Sequence, residues 1–493
     1  MLPLVSTTLF LPLLGALLIM TLRRAPAQTV HTIGIATSGL TLVGAMWMWS
    51  RGVNDSGFAQ LEQIDWMPAI GAAYRVGVDG ISLPLVLLSA LLFFLTFIYS
   101  AKVRERPHAY VVLMLLLETA AIGTFTALDA ILFYVFFEVS LVSMYFLISG
   151  WGHEDRQRAA MMFFIYTLLG SLPLLLAILG LYLGSDPHTF DMRVWIDNPP
   201  LTGTAATLAL VAMLFTFAVK TPVFPFHTWL PAAHVQAPAA GSVILAGVML
   251  KFGTYGLIRF ALQMTPDAFR DAGIIILSFG VVAALYGAFA ALAQSDLKRL
   301  IAYTSVNHMG YIIVGVAIAA LATDPAIRAT ALDGSVLQMI SHGLVTGALF
   351  FLVGMLQDRA HTREMDQFGG LLKIVPLLGW SFILAAFASL GLPGLAHFPA
   401  EFQIFLATLR VEPIAVIVIL GIVITAGLYL RAIGNVFLGE PHAANKEQWS
   451  DMRDLDTREL LALGPLLILI IVVGVAPAWV LTIIHQTTAA LQL

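Results

Sequence analysis

Apolar residues run along this chain in long stretches, separated by short polar segments, from Leu4 near one end to Ile484 near the other. About twenty residues at ~1.5 Å each cross the ~30 Å hydrocarbon layer of a bilayer. The pattern predicts fourteen spans, at roughly 3–22, 30–50, 80–101, 109–127, 129–151, 159–184, 204–228, 235–262, 272–294, 299–321, 331–357, 375–407, 412–437 and 459–484. A backbone exposed to lipid must satisfy its own hydrogen bonds, so the expected fold class is an all-α polytopic membrane protein. A transmembrane β-barrel would show short segments of alternating polarity instead. The opening stretch MLPLVSTTLFLPLLGALLIMTLRR has the length of a signal peptide. It lacks a basic start and a small-residue cleavage site, and is read as the first span.

Two spans are interrupted. The seventh contains KTPVFPF and the twelfth GLPGLAHFPAEF. The breaks lie five spans apart, so two five-helix units, 109–262 and 272–437, would carry them at matching positions. Five is odd, so the second unit would be inverted relative to the first. Inverted repeats with helices broken near the midplane are a transporter pattern in which the breaks mark the ion path. Residues 1–101 supply three helices ahead of the repeats, and 459–484 one behind. The longer connections, 51–79, 185–203, 358–374 and 438–458, are too short for a soluble domain, so 1–493 is expected to form a single membrane domain.

Composition agrees, with 59% of 493 residues hydrophobic and 11% charged. The absence of cysteine excludes disulfides, iron–sulfur clusters and thiolate metal sites. The net charge of −4 matters less than where the cations sit. Sixteen lysines and arginines fall in odd-numbered loops and six in even-numbered ones, Lys446 being among the sixteen. The positive-inside rule then makes the odd loops cytoplasmic and turns both termini outward, in a bacterial inner membrane.

Against this apolar background several titratable residues stand out: Glu138, Lys220, Lys251, His308, His342 and Glu401, with His227, His234 and Glu118 as weaker candidates. Glu138 lies about ten residues, or ~15 Å, into its span. Ionisable groups at such depth are expensive and mark ion pathways or proton relays. Carboxylates, amines and imidazoles at comparable depth can pass protons by successive protonation. The sequence shows no ligand cluster with metal spacing, no Gly-rich phosphate loop, no nucleophile elbow and nothing that points to nucleic acid. Unit charges ~4 Å apart at an effective dielectric of ~20 interact by ~4 kcal/mol. A carboxylate such as Glu138 approaching or leaving Lys220 would therefore load or release the lysine's proton.

Six segments carry a family resemblance: VGVDGISLPLVLLSALL (76–92), FYVFFEVSLVSMYFLI (133–148), FFIYTLLGSL (163–172), residues 217–260 from FAVKTPVFPF to KFGTYGLIRF, SDLKRLIAYTSVNHMGYI (295–312) and GLPGLAHFPAEF (391–402). In this order they resemble the antiporter-like membrane subunits of respiratory complex I, closest to the chain M or mitochondrial subunit-4 type. Glu401 stands where the chain L and N types usually carry lysine, and no long lateral helix follows. Ala232 and Gln236 replace two carboxylates frequent in the family, and Pro399 and Ala400 precede Glu401 where small residues such as glycine are usual. The resemblance implies a proton-translocating subunit of an NADH:quinone oxidoreductase. Glu138 would pair with Lys220, Lys251 and the histidines would continue the path, and protons would leave near Glu401. It also implies that NADH, FMN, iron–sulfur clusters and quinone sit in partner subunits and that this chain holds no cofactor. The alternatives are a subunit of a multi-subunit cation/proton antiporter, or a membrane subunit of a related hydrogenase or CO2-hydrating complex.

Overall fold

The computed structural model describes residues 3–54, 57–440, 449 and 451–491, so Lys446 lies outside the described residues. Thirteen helices among these are long and apolar enough to cross a bilayer, and a shorter apolar helix, Pro376–Ser389, begins a fourteenth crossing. Numbered in chain order, spans 1 to 6 are Leu4–Thr21, Ala27–Arg51, Ser82–Ser100, Pro107–Thr126, Ala130–Trp151 and Arg156–Gly184. Span 7 is split into 7a, Gly203–Lys220, and 7b, Trp229–Gln236. Spans 8 to 11 are Ala239–Leu262, Gly273–Leu292, Leu297–Leu321 and Pro325–Ala360. Span 12 is split into 12a, Pro376–Ser389, and 12b, His397–Val411. Spans 13 and 14 are Pro413–Val436 and Thr457–Val475.

Both predicted breaks are present, but two boundaries move. The eighth span begins at Ala239, so His234 belongs to helix 7b and not to span 8. Pro238, which lacks an N–H, separates the two helices. The segment predicted as 459–484 is two helices, because Pro477 ends span 14 and starts a separate helix at Ala478–Thr488. Long connection 51–79 also holds an element not read from the sequence, an antiparallel hairpin of β1, Ala59–Met67, and β2, Ala72–Val78. Glu62 of β1 accepts the Val5 and Ser6 N–H groups at 2.8 and 2.9 Å, capping span 1. Arg75 of β2 donates to Asp129 at 2.7 Å, the residue that caps span 5.

Spans 8 and 11 are buried along their apolar lengths and span 10 nearly so, whereas less than half of spans 1, 2, 6 and 14 is buried. Spans 8, 10 and 11 therefore form the centre of the bundle. One buried ion pair holds span 8 near its C-terminal end. Arg259 donates to Asp79 at 2.5 Å, with side chains 1% and 3% exposed, and Asp79 also caps span 3 through the Ser82 N–H at 2.9 Å. Arg259→Leu would strand that carboxylate, costing about 3–5 kcal/mol. The temperature of half-loss of the subunit from the assembled complex should fall, and Asp79→Asn on top, which keeps an acceptor for the cap, should restore part of the loss.

Candidate functional site: a buried chain of titratable side chains

The three enclosed spans carry the central groups. Lys251 of span 8 is fully buried. Its Nζ lies 2.5 Å from the Ala246 carbonyl oxygen and 2.7 Å from Nδ1 of His342 on span 11. Ala246 stands in a π-helical turn, Leu245–Met249, where the ordinary i to i−4 ladder is interrupted and a carbonyl five residues back can meet the amine. Such turns are frequent at functional sites.

From His342 the rings continue toward span 12. Its centroid lies 5.7 Å from that of His308 on span 10, and the His308 ring lies 4.4 Å from that of His397 at the start of helix 12b. Nε2 of His308 lies 3.1 Å from the Ser389 hydroxyl, and its Nδ1 lies 3.3 Å from the Glu401 carboxylate. Gln338 donates to the same Glu401 oxygen at 3.1 Å, and His397 Nδ1 lies 3.9 Å from it. Although sequence spacing shows no ligand cluster, the fold brings donor atoms of His308, His397 and Glu401 within 4.8 Å of one another. His397, Gln338 and Ser389 were not singled out from the sequence.

The breaks place the ends of this arrangement. Lys220 is the last residue of helix 7a, 3% exposed, and its Nζ has no hydrogen-bond partner. It lies over the rings of Phe137 at 4.4 Å and Phe252 at 5.8 Å, a cation–π arrangement. The expected contact with Glu138 is not made: Glu138 is half-buried beside Ser171, and no ion pair joins it to Lys220 among the described residues. Trp229 of helix 7b donates to the Val219 carbonyl at 3.0 Å, closing the break, while Gly253 admits span 8 against it. A Cβ at Gly253 would stand 2.2 Å from the Thr221 hydroxyl oxygen. In the second break Gly391 has φ +75°, and a Cβ there would stand 2.5 Å from Glu401 Oε2.

The weaker candidates divide. His234 is buried, stacked on Phe350 at 4.5 Å, and both its ring nitrogens lack partners, while Lys251 and Lys298 both act on it electrostatically. His227 is buried among Phe224, Tyr286 and Tyr303. Glu118 accepts a hydrogen bond from Ser38 of span 2 at 2.8 Å, away from the histidine cluster.

Residues 127–427 match the family described as NADH:quinone oxidoreductase/Mrp antiporter, TM. The NADH-quinone oxidoreductase subunit M of Rickettsia bellii is 38% identical, over 98% of this chain and 97% of its own. Among solved structures, a chain of respiratory complex I from Thermus thermophilus superposes with a TM-score of 0.88 at 30% identity, over 99% of each chain. A chain of the Mrp complex from Dietzia sp. shares the fold, with a TM-score of 0.85 at 22% identity, over 100% of this chain and 98% of that one.

His397→Ala should lower proton pumping of the assembled complex about tenfold or more, as expected for loss of a positioned proton-transfer group. Vesicle pH-dye assays would show this, and a rate equal to wild type would place His397 outside the path. On these matches and this geometry, the chain belongs to the NADH:quinone oxidoreductase/Mrp antiporter transmembrane family.

Proposed function

We propose that this chain is the proton-translocating membrane subunit of a redox-driven NADH:quinone oxidoreductase, and that protons cross it along Lys220, Lys251, His342, His308 and Glu401, with Glu138 modulating Lys220. The carrying observation is the set of short contacts between Lys251, His342, His308 and Glu401, all fully or almost fully buried on three helices of the bundle centre and one broken helix. A structural core has no use for so many ionisable groups, because each costs free energy to bury. Relatives named as NADH-quinone oxidoreductase subunits match over nearly the full length, which favours this reading over a cation/proton antiporter subunit.

Electron transfer belongs to partner subunits that hold NADH, FMN, iron–sulfur clusters and quinone; a chain without cysteine has no thiolates for such clusters. The two breaks, at Lys220 and just before Glu401, support two inverted five-helix units. The cation bias of the loops supports a bacterial inner membrane with both termini outward. Lys220→Met in the assembled complex, studied in inverted vesicles, should abolish pumping and slow NADH-driven quinone reduction. Unchanged pumping and turnover would remove Lys220 from the path and reopen the antiporter and scaffold readings.

A further inference from the structure

The proposed path accounts for the middle of the bundle and says nothing of how a proton reaches it. At the end where spans 5, 10 and 11 meet their cation-rich loops lies a cavity of about 460 Å3, lined among others by His153, Gln236, Asp296, Gln357, Asp358 and Arg363. This lining is polar and charged, which suits water. His153 belongs to the turn between spans 5 and 6, and helix 7b holds it there. The His153 N–H donates to the Gln236 carbonyl at 2.9 Å, and the Gln236 side chain accepts from the Asp155 N–H at 3.1 Å.

Behind His153 stands Lys298, in the first turn of span 10 and fully buried. Its Nζ donates to the Ala237 carbonyl at 3.1 Å and lies 3.4 Å from Nε2 of His153. An amine there is unfavourable twice over, once for burial and once for the positive end of the helix dipole. Capping one carbonyl is a small return for that cost.

We propose that His153 and Lys298 form the uptake relay that draws protons from this cavity and delivers them into the buried path. The inference rests on the proton-translocating function proposed above. With Lys298 neutral, His153 carries its proton on Nε2 and donates it toward the lysine. A hydronium in the cavity gives a proton to Nδ1 and becomes water as the Nε2–H bond breaks and a third N–H bond forms on Nζ. Lys298 is then cationic, and His153 is left neutral with its proton on Nδ1. That product state fits the observed contacts, since the Lys298 ammonium and the Gln357 amide at 3.3 Å both point donors at Nε2. Burial first, then the Lys298 and Arg363 charges, hold His153 down at about 4 against the opposing pull of Asp358 and Asp296, so the ring is neutral at physiological pH. It therefore passes protons without storing charge.

The test uses the assembled complex in inverted vesicles, whose cytoplasmic face looks outward, comparing wild type, His153→Gln, His153→Ala and Lys220→Met. His153→Gln keeps a polar contact with Lys298 but cannot relay, and its pumping should fall about tenfold or more. Imidazole added outside should restore a large part of the rate to His153→Ala, and none to Lys220→Met. If both His153 variants pump at the wild-type rate while Lys220→Met does not, the uptake relay is wrong and the function stands. An assembled His153→Ala complex that pumps slowly and gains nothing from imidazole would also overturn the relay, since a structural defect is not repaired by a free base. If Lys220→Met pumps normally, the function itself fails.

Discussion

A lysine amine in the middle of the bundle, held only by a backbone carbonyl and an imidazole, is the constraint around which the structure is arranged. Among the described residues no carboxylate meets Lys251, and its contacts are the Ala246 oxygen at 2.5 Å and the His342 ring at 2.7 Å. The carbonyl lies in a π-helical turn, and the packing of spans 8 and 11 places the ring. Protein encloses both spans along their apolar lengths. In such surroundings electrostatic interactions are strong, so a charge arriving at one member of the chain changes the energy of the next. A pump needs that property.

The broken helices extend this logic to the ends. A helix interrupted within the bundle leaves N–H and C=O groups without intrahelical partners, and lipid cannot supply any. The breaks are tolerated because protein covers them: Trp229 reaches back to the Val219 carbonyl, and glycines at 253 and 391 let neighbouring groups close in. What stands at these points is titratable side chain. Lys220 ends its half-helix with an unpartnered amine over two aromatic rings, and Glu401 sits just inside the other half-helix among two imidazoles and an amide. The gap between Glu138 and Lys220 belongs to the same picture: on the proposed function, a carboxylate not locked to its lysine can modulate it by approaching or leaving.

Much of this was legible because the membrane makes charge conspicuous. A lysine after twelve apolar residues, or a glutamate amid phenylalanines, stands out in a sequence where only 11% of residues are charged. Prolines exposed both breaks for a similar reason, since they cannot donate to a helix. Neutral partners gave no such signal. Gln338 and Ser389 look like ordinary helix residues until spans 10, 11 and 12 converge, and His397 was absorbed into the break motif whose glutamate took the attention. Lys298 was counted as loop charge and His153 was not singled out, and only the fold shows the histidine half-buried and the lysine fully enclosed. The hairpin was missed because a long connection between strong membrane spans hides a weak alternating pattern, and its register is set by contacts with spans 1 and 5 that no local pattern contains.

The account stands or falls on whether the buried amine at the centre carries protons. The most direct measurement is the number of protons moved per NADH oxidised by the assembled complex carrying Lys251→Met, which fills the same space without a titratable group. Pumping through this subunit should be lost and turnover slowed, with the complex still intact. A proton yield and turnover equal to wild type would contradict the central claim and leave the amine a structural residue.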